Sequence, residues 1–301
     1  MLYVHSWGNM DGIIVINKPE GRSSHDMVYF VRRLLGIKKV GHTGTLDPDA
    51  TGVLPICIGK ASKAADMLTA SDKAYRAVMV FGMTTDTLDA SGEVLTEQPV
   101  DFSREDLEKV IDGFIGEVEQ IPPMFSAIKK DGKKLYELAR QGITVERKVR
   151  KVIIFDIKRN WFDEKNGMAE IDVFCSKGTY IRTLCEDIGM KLGCGAYMNS
   201  LVRTKSAGFC IEESYTCDTL NEIKENGNIE ETIIPVDKLF DEYEAVYLND
   251  FLAQKVKNGI KIRKSGLSDG ILYRVYGENK EFLCISRYEN GLLIMEKSFW
   301  S

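Results

Sequence analysis

A length of 301 residues with 44% hydrophobic and 28% charged residues is typical of a globular chain with one large domain and a small one, or two unequal domains. No run reaches the roughly 20 apolar residues that span a bilayer, and residues 1–9 lack the features of a signal peptide. Seven scattered cysteines without a Cys-x-x-Cys pair predict reduced thiols in a cytoplasm, and the three histidines have no cysteine at zinc-ligand spacing.

The N-terminal segment leaves two candidate start positions open, Met1 and Met10. Met10 directly precedes an apolar run, so the first nine residues are either an optional extension or the product of a misplaced start. The sequence does not choose between them.

The charge distribution is more informative than the net charge of −5 and the pI of about 5.5, which taken alone argue against a nucleic-acid-binding protein. Residues 124–151 hold nine Lys/Arg and three Asp/Glu, a net charge of +6. Residues 221–250 have a net charge of −7, from two basic and nine acidic residues, and residues 251–301 have +4, from nine and five. Two basic segments separated by an acidic one either bind a polyanion or are solvated surfaces.

Hydrophobic periodicity and turn residues predict the elements of the first half. Ser23 or Ser24 is expected to cap the first helix, which Gly36 ends. Alternating apolar residues from Tyr75 to Phe81 indicate a half-buried strand. In chain order, we predict a strand at 12–17, a helix at 25–35, a loop at 38–54, a helix at 60–68, a strand at 75–81, a loop at 82–92 and a helix at 104–116.

The second half begins with the basic segment, predicted as a hairpin or loop with a short helix near 135–140. In chain order, strands follow at 152–157 and 168–174, a helix at 179–192, a linker near 241–244, and short strands at 273–275, 282–286 and 292–296. The mixed order predicts an α+β fold rather than a doubly wound sheet. The linker predicts a large domain over residues 1–240 and a small β-rich domain over residues 241–301.

The most distinctive segment is residues 41–55, where three glycines and two prolines constrain the backbone around Asp47. Constrained loops often display a functional side chain. The residues alone equally allow Asp47 to set an Asp-Pro turn in a simple connector.

This segment resembles the active-site loop of the TruB family of bacterial pseudouridine synthases, with the pattern G-H-T-G-x-L-D-P-x-A-T-G-x-L-P. The resemblance extends in register over residues 12–207. Further family motifs are matched by residues 17–24 (NKPEGRSS), 71–76 (SDKAYR), 120–127 (QIPPMFSA) and 175–183 (CSKGTYIRT). The last 60 or so residues resemble a PUA-type RNA-binding domain only loosely.

The resemblance implies a pseudouridine synthase fold with a mixed, mainly antiparallel sheet, a basic RNA-clamping arm at about 124–151 and a PUA-like domain at 241–301. It implies isomerisation of uridine to pseudouridine in the T-loop of tRNA, at position 55, after base flipping. The reaction breaks the C1′–N bond and joins C5 of uracil to C1′ without redox change. No cofactor and no metal are therefore expected.

The resemblance makes Asp47 the catalytic carboxylate, with attack at C1′ or at base C6 left open. A carboxylate in a closed site tends to take up a proton, and Arg182 is the cation that keeps it ionised. The alternative for Arg182 is a surface arginine in the first turn of a helix. Tyr75 is implied to stack on the base and to assist proton removal from C5, or else packs in the core.

The implied substrate contacts surround these three residues. His42 takes the place of the flipped base in the stack, and Leu201 lines the uracil pocket or belongs to the ordinary core. Lys18 and Lys177 either contact phosphate or support the loops, and Tyr180 of the arginine motif is expected to bind substrate. The basic arm is expected to close over RNA through Lys129, Lys130, Lys133, Lys134, Arg147, Lys148, Arg150 and Lys151.

The expected partner is the T-arm stem-loop of tRNA, with no membrane and no obligatory protein partner, in the cytoplasm. Two alternatives stay open. One is an RNA-binding or RNA-folding module with secondary or no catalysis. The other is the RNA-guided pseudouridine synthase of archaea and eukaryotes, which shares the aspartate loop and works with partner proteins.

Overall fold

The structure is a computed structural model that describes residues 10–300. The predictions for residues 1–9, the start at Met1 and the missing signal peptide, lie outside the described residues. Strands within the described part are β1 (Gly12–Lys18), β2 (Val40–His42), β3 (Thr51–Ile58), β4 (Lys73–Phe81), β5 (Met83–Thr85), β6 (Val94–Glu97), β7 (Gly116–Gln120), β8 (Lys129–Lys130), β9 (Lys133–Lys134), β10 (Arg150–Asp163), β11 (Met168–Cys175), β12 (Ala196–Ser206), β13 (Phe209–Cys210), β14 (Glu244–Tyr247), β15 (Ile262–Arg263), β16 (Leu272–Tyr276), β17 (Phe282–Glu289) and β18 (Leu292–Ser298). The α-helices are α1 (Ser24–Leu35), α2 (Ala65–Thr69), α3 (Arg104–Asp112), α4 (Leu135–Ala139), α5 (Ile181–Lys191), α6 (Cys217–Glu225) and α7 (Asp250–Lys257).

A nine-stranded sheet forms the centre of the molecule, in the order β1-β3-β12-β4-β11-β10-β7, with β2 on β3 and β13 on β12. All of its pairings are antiparallel except the parallel pairing of β12 with β3. The mixed, mainly antiparallel sheet of an α+β fold is therefore confirmed. A second sheet, β14-β16-β17-β18-β15, forms the β-rich C-terminal part.

Local sequence signals explain the first helix. The Ser23 hydroxyl accepts a hydrogen bond from the Asp26 backbone N–H, and the Asp26 carboxylate accepts from the Ser23 N–H. Gly36 ends α1 in the left-handed region at a φ of 70°. The prediction of a helix at 25–35 is thus confirmed, with Ser23 as its cap.

The central strand β4 also follows its predicted pattern. Tyr75, Ala77, Met79 and Phe81 are buried on one face, and they pack with α3 and α5 in one hydrophobic core. The alternation arises because successive strand residues point to opposite faces of the sheet. This face of β4 carries one wall of the site described below.

Two predicted loops are wrong in part. Residues 38–54 contain β2 and the start of β3, so that only 43–50 form the connecting loop, and residues 82–92 contain β5. The glycine, threonine and proline content of these segments favours loops. Strand β2 nevertheless forms because it pairs with β3, and β5 forms because it pairs with β6. The predicted helix at 104–116 ends at Asp112, because residues from Gly116 onward pair with β10 as β7.

The sequence reading missed β12, an eleven-residue strand between β3 and β4 in the middle of the large sheet. Its polar residues obscured the alternation. Helix predictions elsewhere hold: residues 59–64 are a 3₁₀ helix that leads into α2, and α5 and α4 lie where helices were expected. The basic segment forms a short hairpin, β8–β9, followed by α4.

The two sheets share a hydrophobic contact. Val15 and Val53 of the large sheet pack in one cluster with Phe240, Ile285 and Phe299. Strand β14 begins at Glu244, after a 3₁₀ helix at Val236–Phe240. In residues 10–300, no helix has the length and apolar character needed to cross a membrane.

Candidate active site

The loop between β2 and β3 is held at both ends and presents Asp47. The Leu46 N–H donates to the Ser24 hydroxyl at 2.8 Å, and that hydroxyl donates back to the Leu46 carbonyl at 3.0 Å. The Ala50 N–H donates to the Asp47 carbonyl at 3.1 Å. Leu46 and Ala50 are buried, whereas the Asp47 side chain is 47% exposed. The loop therefore fixes its backbone in the core and leaves one carboxylate accessible.

Arg182 meets this carboxylate from the first turn of α5. Its Nη2 lies 2.9 Å from Asp47 Oδ2, and its side chain is only 7% exposed. Three further groups accept from the guanidinium: Asp89 Oδ2 at 3.2 Å, the Thr87 carbonyl at 3.2 Å and the Phe125 carbonyl at 2.8 Å. An arginine with this many acceptors is held in one orientation, so its position defines that of the Asp47 carboxylate.

Asp89 is a site residue that the sequence reading missed. It lies in the polar connection after β5, where nothing local distinguishes it from the other acidic residues. Its carboxylate also accepts from the Thr87 hydroxyl at 2.7 Å and from the Ser91 hydroxyl at 2.6 Å. A second acid beside Arg182 is needed to orient the guanidinium, but only the tertiary structure shows which acid it is.

Opposing effects act on the Asp47 proton. Burial raises the pKa of Asp47 above its ordinary value, and the neighbouring Arg182 guanidinium counteracts this by favouring the carboxylate. The charge of Asp89 adds to the upward shift of the pKa. Arg182 is consequently the main group that opposes the rise in the pKa of Asp47.

Tyr75 and Leu201 form the apolar wall beside the loop. Both are 8% exposed, and they belong to the same hydrophobic core as Leu46 and Ala50 of the Asp47 loop. Tyr75 lies on β4. Leu201 lies on the neighbouring strand β12, where it pairs with Ala77 of β4. Burial raises the pKa of the Tyr75 hydroxyl. The structure therefore brings Tyr75, Leu201 and the Asp47 loop together.

Lys18 lies beneath the same loop. It is fully buried, and its ammonium group donates to the carbonyl oxygens of Pro19 at 3.0 Å, Arg22 at 2.6 Å and Pro48 at 2.8 Å. Burial lowers the pKa of Lys18 to about 8. Of the two roles left open by the sequence, these contacts favour support of the loop over contact with phosphate.

The other three predicted residues lie around the site. His42 ends β2 and is half-buried, and burial lowers its pKa. Tyr180 immediately precedes α5, and Gln120 holds its backbone through two hydrogen bonds, at 3.0 and 3.1 Å. Lys177 is exposed in the turn between β11 and α5. Gln120 lay in a recognised motif without being singled out, and its fixed amide aligns the start of the helix that carries Arg182.

Arg203 is the second site residue that the sequence reading missed. Only 1% of it is exposed, and its Nε donates to the Val53 carbonyl at 2.7 Å. Nη2 and Nη1 lie 3.3 and 3.5 Å from the carbonyl oxygens of Gly44 and Thr45. The buried position of Arg203 became clear only once β12 was known to be a strand, because the polar residues of this segment hide its alternation.

Comparison with solved structures defines the class of protein. The fold matches a chain of the structure described as "Crystal Structure of a Cbf5-Nop10-Gar1 Complex" with a TM-score of 0.72 and 26% identity, covering 96% of this chain and 85% of that one. A fold of this kind is that of a pseudouridine synthase.

Sequence comparison defines the family. Residues 32–181 match the N-terminal domain of the TruB family pseudouridylate synthases, residues 182–255 the tRNA pseudouridylate synthase B C-terminal domain, and residues 245–294 the C-terminal segment of pseudouridine synthase II TruB. The tRNA pseudouridine synthase B of Geobacillus kaustophilus is 45% identical over 84% of this chain and 91% of its own. That of Clostridium kluyveri is 45% identical over 96% of this chain and 100% of its own. The chain belongs to the TruB family of pseudouridine synthases.

Proposed function

We propose that the chain converts uridine to pseudouridine in the T-loop of tRNA, at position 55, with Asp47 as the catalytic group. The substrate is suggested by relatives named tRNA pseudouridine synthase B, which are similar over most of the chain. The observation that carries the proposal is the 2.9 Å ion pair between Arg182 Nη2 and an Asp47 carboxylate that is otherwise accessible.

The ion pair suits the chemistry of this isomerisation. An ionised carboxylate can attack the substrate as a nucleophile, and Arg182 favours that ionised form. Attack at C1′ of the ribose and attack at C6 of the base both require an ionised carboxylate. Bond cleavage and re-formation then occur within one substrate, so besides the attack by Asp47 the residues of this chain need only orient the uracil and move protons.

The apolar wall beside Asp47 supports a role in holding the base. We assign base stacking and assistance in proton removal from C5 to Tyr75, and lining of the uracil pocket to Leu201. A base in a folded loop is stacked and must be turned out of the RNA before it reaches Asp47. His42, at the entrance of the Asp47 loop, is assigned to the vacated stack, and Tyr180 and Lys177 to contacts with the nucleotide or its phosphate.

The exposed basic residues support binding of an RNA backbone. Lys129, Lys130 and Lys133 of the β8–β9 hairpin are exposed to solvent, and electrostatic contacts of this kind position a phosphate backbone. We propose that the segment 124–151 closes over the T-arm and that residues 241–301 form a PUA-like RNA-binding domain after a catalytic domain of residues 1–240. Independence from protein partners and location in the cytoplasm stay predictions.

One assay tests reaction, substrate and partner requirement together. The purified protein is incubated with an unmodified T-arm hairpin, and pseudouridine is measured by mass spectrometry or by tritium release from C5. Product from the protein alone supports the proposal. Tight binding without product after long incubation supports an RNA-binding module, and product only after addition of partner proteins and a guide RNA supports the RNA-guided relative.

A further inference from the structure

Arg203 is a buried positive charge that the proposed mechanism does not use. It is the largest of the fully buried side chains in the described part of the chain. Its hydrogen-bond partners among the described residues are three carbonyl oxygens rather than a carboxylate. Burying a charge without a counter-ion is costly, and an arginine stays protonated even so. A feature of this cost, placed directly beneath a catalytic loop, calls for a functional explanation.

The hydrogen bonds of Arg203 fall on both sides of Asp47. Gly44 and Thr45 precede Asp47 in the loop, and Val53 follows it at the start of β3. One planar guanidinium therefore joins the two ends of the loop. Because these bonds go to backbone atoms, they fix the path of the main chain and thus the place from which the Asp47 carboxylate extends.

Arg203 also faces Tyr75. The two residues are directly opposite in the antiparallel pairing of β12 with β4, and both are buried on the same face of the sheet. Opposite residues in such a pair have their Cβ atoms about 4.5–5.5 Å apart. The guanidinium can only donate hydrogen bonds, so toward the Tyr75 oxygen it can act only as a donor.

We propose that Arg203 is a positioning residue that holds the Asp47 loop and the Tyr75 hydroxyl in one fixed relation and supplies the positive charge on that side of the site. This inference rests on the proposed roles of Asp47 and Tyr75. Donors that are oriented in advance stabilise negative charge on the Tyr75 oxygen, or on the base next to it, without reorganisation during the reaction.

The surroundings of Tyr75 agree with this electrostatic role. Three ionisable groups act on the proton of the Tyr75 hydroxyl: Arg203 on β12, Cys175 on β11 and Asp47 in the loop. Burial, Cys175 and Asp47 raise the pKa of Tyr75, whereas Arg203 lowers it. Arg203 is thus the cation that opposes the rise in the pKa of Tyr75 and favours its deprotonated oxygen.

The test compares Arg203→Met and Arg203→Lys with the matched variant Lys73→Met. Lys73 is also buried and also donates to two backbone carbonyls, those of Thr69 and Ser71, but it does not bond to the Asp47 loop. For each variant, the thermal midpoint, the Kd for T-arm RNA and the single-turnover rate of pseudouridine formation are measured across pH.

We expect the rate of Arg203→Met to fall about 100-fold with the Kd changed by less than about twofold, since misplacing a catalytic group costs rate rather than binding. Arg203→Lys keeps the charge and should recover part of the rate. The rise of the rate with pH that follows deprotonation of Tyr75 should shift to higher pH in Arg203→Met, because loss of the cation raises the pKa of Tyr75. Lys73→Met should lose stability and keep its rate.

Three results overturn the inference: a folded Arg203→Met with a near-normal rate, a defect confined to the Kd, or an equal loss of rate in Lys73→Met. If Arg203→Met does not fold, Arg203→Lys decides, because it lacks the planar donors and should still lose at least about fivefold in rate. The wild-type protein separates the two proposals. Absence of wild-type product contradicts the proposed function, whereas wild-type product with unaffected Arg203 variants contradicts only this inference.

Discussion

The Lys18 ammonium group donates a hydrogen bond at 2.8 Å to the carbonyl oxygen of Pro48, thirty positions along the chain. The Gly21 N–H donates to the same oxygen at 3.0 Å. The turn that follows β1 thereby grips the residue immediately after Asp47. Two motifs that are separate in sequence form one structural unit, and the Asp47 loop has a second buried cation beneath it besides Arg203.

Replacing Lys18 by methionine should destabilise the protein and lower its activity. The change removes the charged donor of three part-buried hydrogen bonds, and a hydrogen bond to a charged group contributes about 1.5–3 kcal/mol. Thermal or urea unfolding measures the loss. The control is Lys38→Met, which changes an exposed lysine after α1. An unfolding midpoint equal to that of Lys38→Met would show that the three bonds do not stabilise the fold.

Asp47→Asn should abolish pseudouridine formation and leave the fold intact. The amide cannot act as an anionic nucleophile, and we expect the rate to fall by at least about 100-fold. The matched variant is Asp49→Asn, which changes an exposed carboxylate two residues away in the same loop. Single-turnover assays on T-arm RNA compare the two. Normal product from Asp47→Asn would refute the assignment of the catalytic group.

Removing the Arg182 cation should shift the acidic limb of the pH–rate profile to higher pH. The reaction requires ionised Asp47, so the rate rises as pH increases through the pKa of this carboxyl. Burial already raises that pKa and Arg182 opposes the rise, so Arg182→Met raises it further. The profile is measured from pH 4 to pH 9 (roughly the range in which a perturbed carboxyl titrates), with Lys191→Met on the same helix as the control. An unmoved acidic limb would mean that Arg182 does not control ionisation of Asp47.

Gly52→Ala should be far more damaging than Gly21→Ala, although both glycines have positive φ. A Cβ at Gly52, where φ is 101°, would lie 2.3 Å from the Arg203 carbonyl oxygen and 2.8 Å from its nitrogen. At Gly21, where φ is 74°, the position is open. We expect a loss of about 1 kcal/mol at Gly21 from backbone strain alone. At Gly52 we expect more than about 2 kcal/mol, since β12 must also move away from β3. Equal losses in the free energy of unfolding would show that the backbone of Arg203 leaves room for a Cβ at position 52.

The basic arm should account for part of the salt dependence of RNA binding. Each phosphate contact contributes roughly 0.7–0.9 to the slope of log K against log salt concentration, so removing three exposed lysines should reduce the slope by about two. The variant replaces Lys129, Lys130 and Lys133 by alanine. Its control replaces the exposed residues Lys109, Lys158 and Lys165, which lie outside the two basic segments. Salt-insensitive binding by the wild-type protein, or equal slopes for both variants, would show that the basic arm does not contact the RNA backbone.

Local signals in the sequence predicted a substantial part of the fold. Some features depend only on neighbours within a few positions and can therefore be predicted from the sequence. They are the capping residues of α1, the alternation along β4 and the short helix after the basic hairpin. The same holds for the constrained loop around Asp47. Its glycines and prolines restrict the backbone locally, and the motif resemblance then predicted the family, which the comparisons confirm.

The tertiary structure decided what depends on distant partners. Strand β12, the burial of Lys18 and the second acid beside Arg182 could not be read locally, because their stabilising contacts lie far apart in sequence. Arg182 donates a hydrogen bond to Asp89, which is 93 positions away in the sequence, and Arg203 donates one to Val53, which is 150 positions away. A charged side chain normally lies at the surface, because desolvation of the charge is costly. Arg203 can be buried beneath the Asp47 loop only because carbonyl groups surround it in the folded chain.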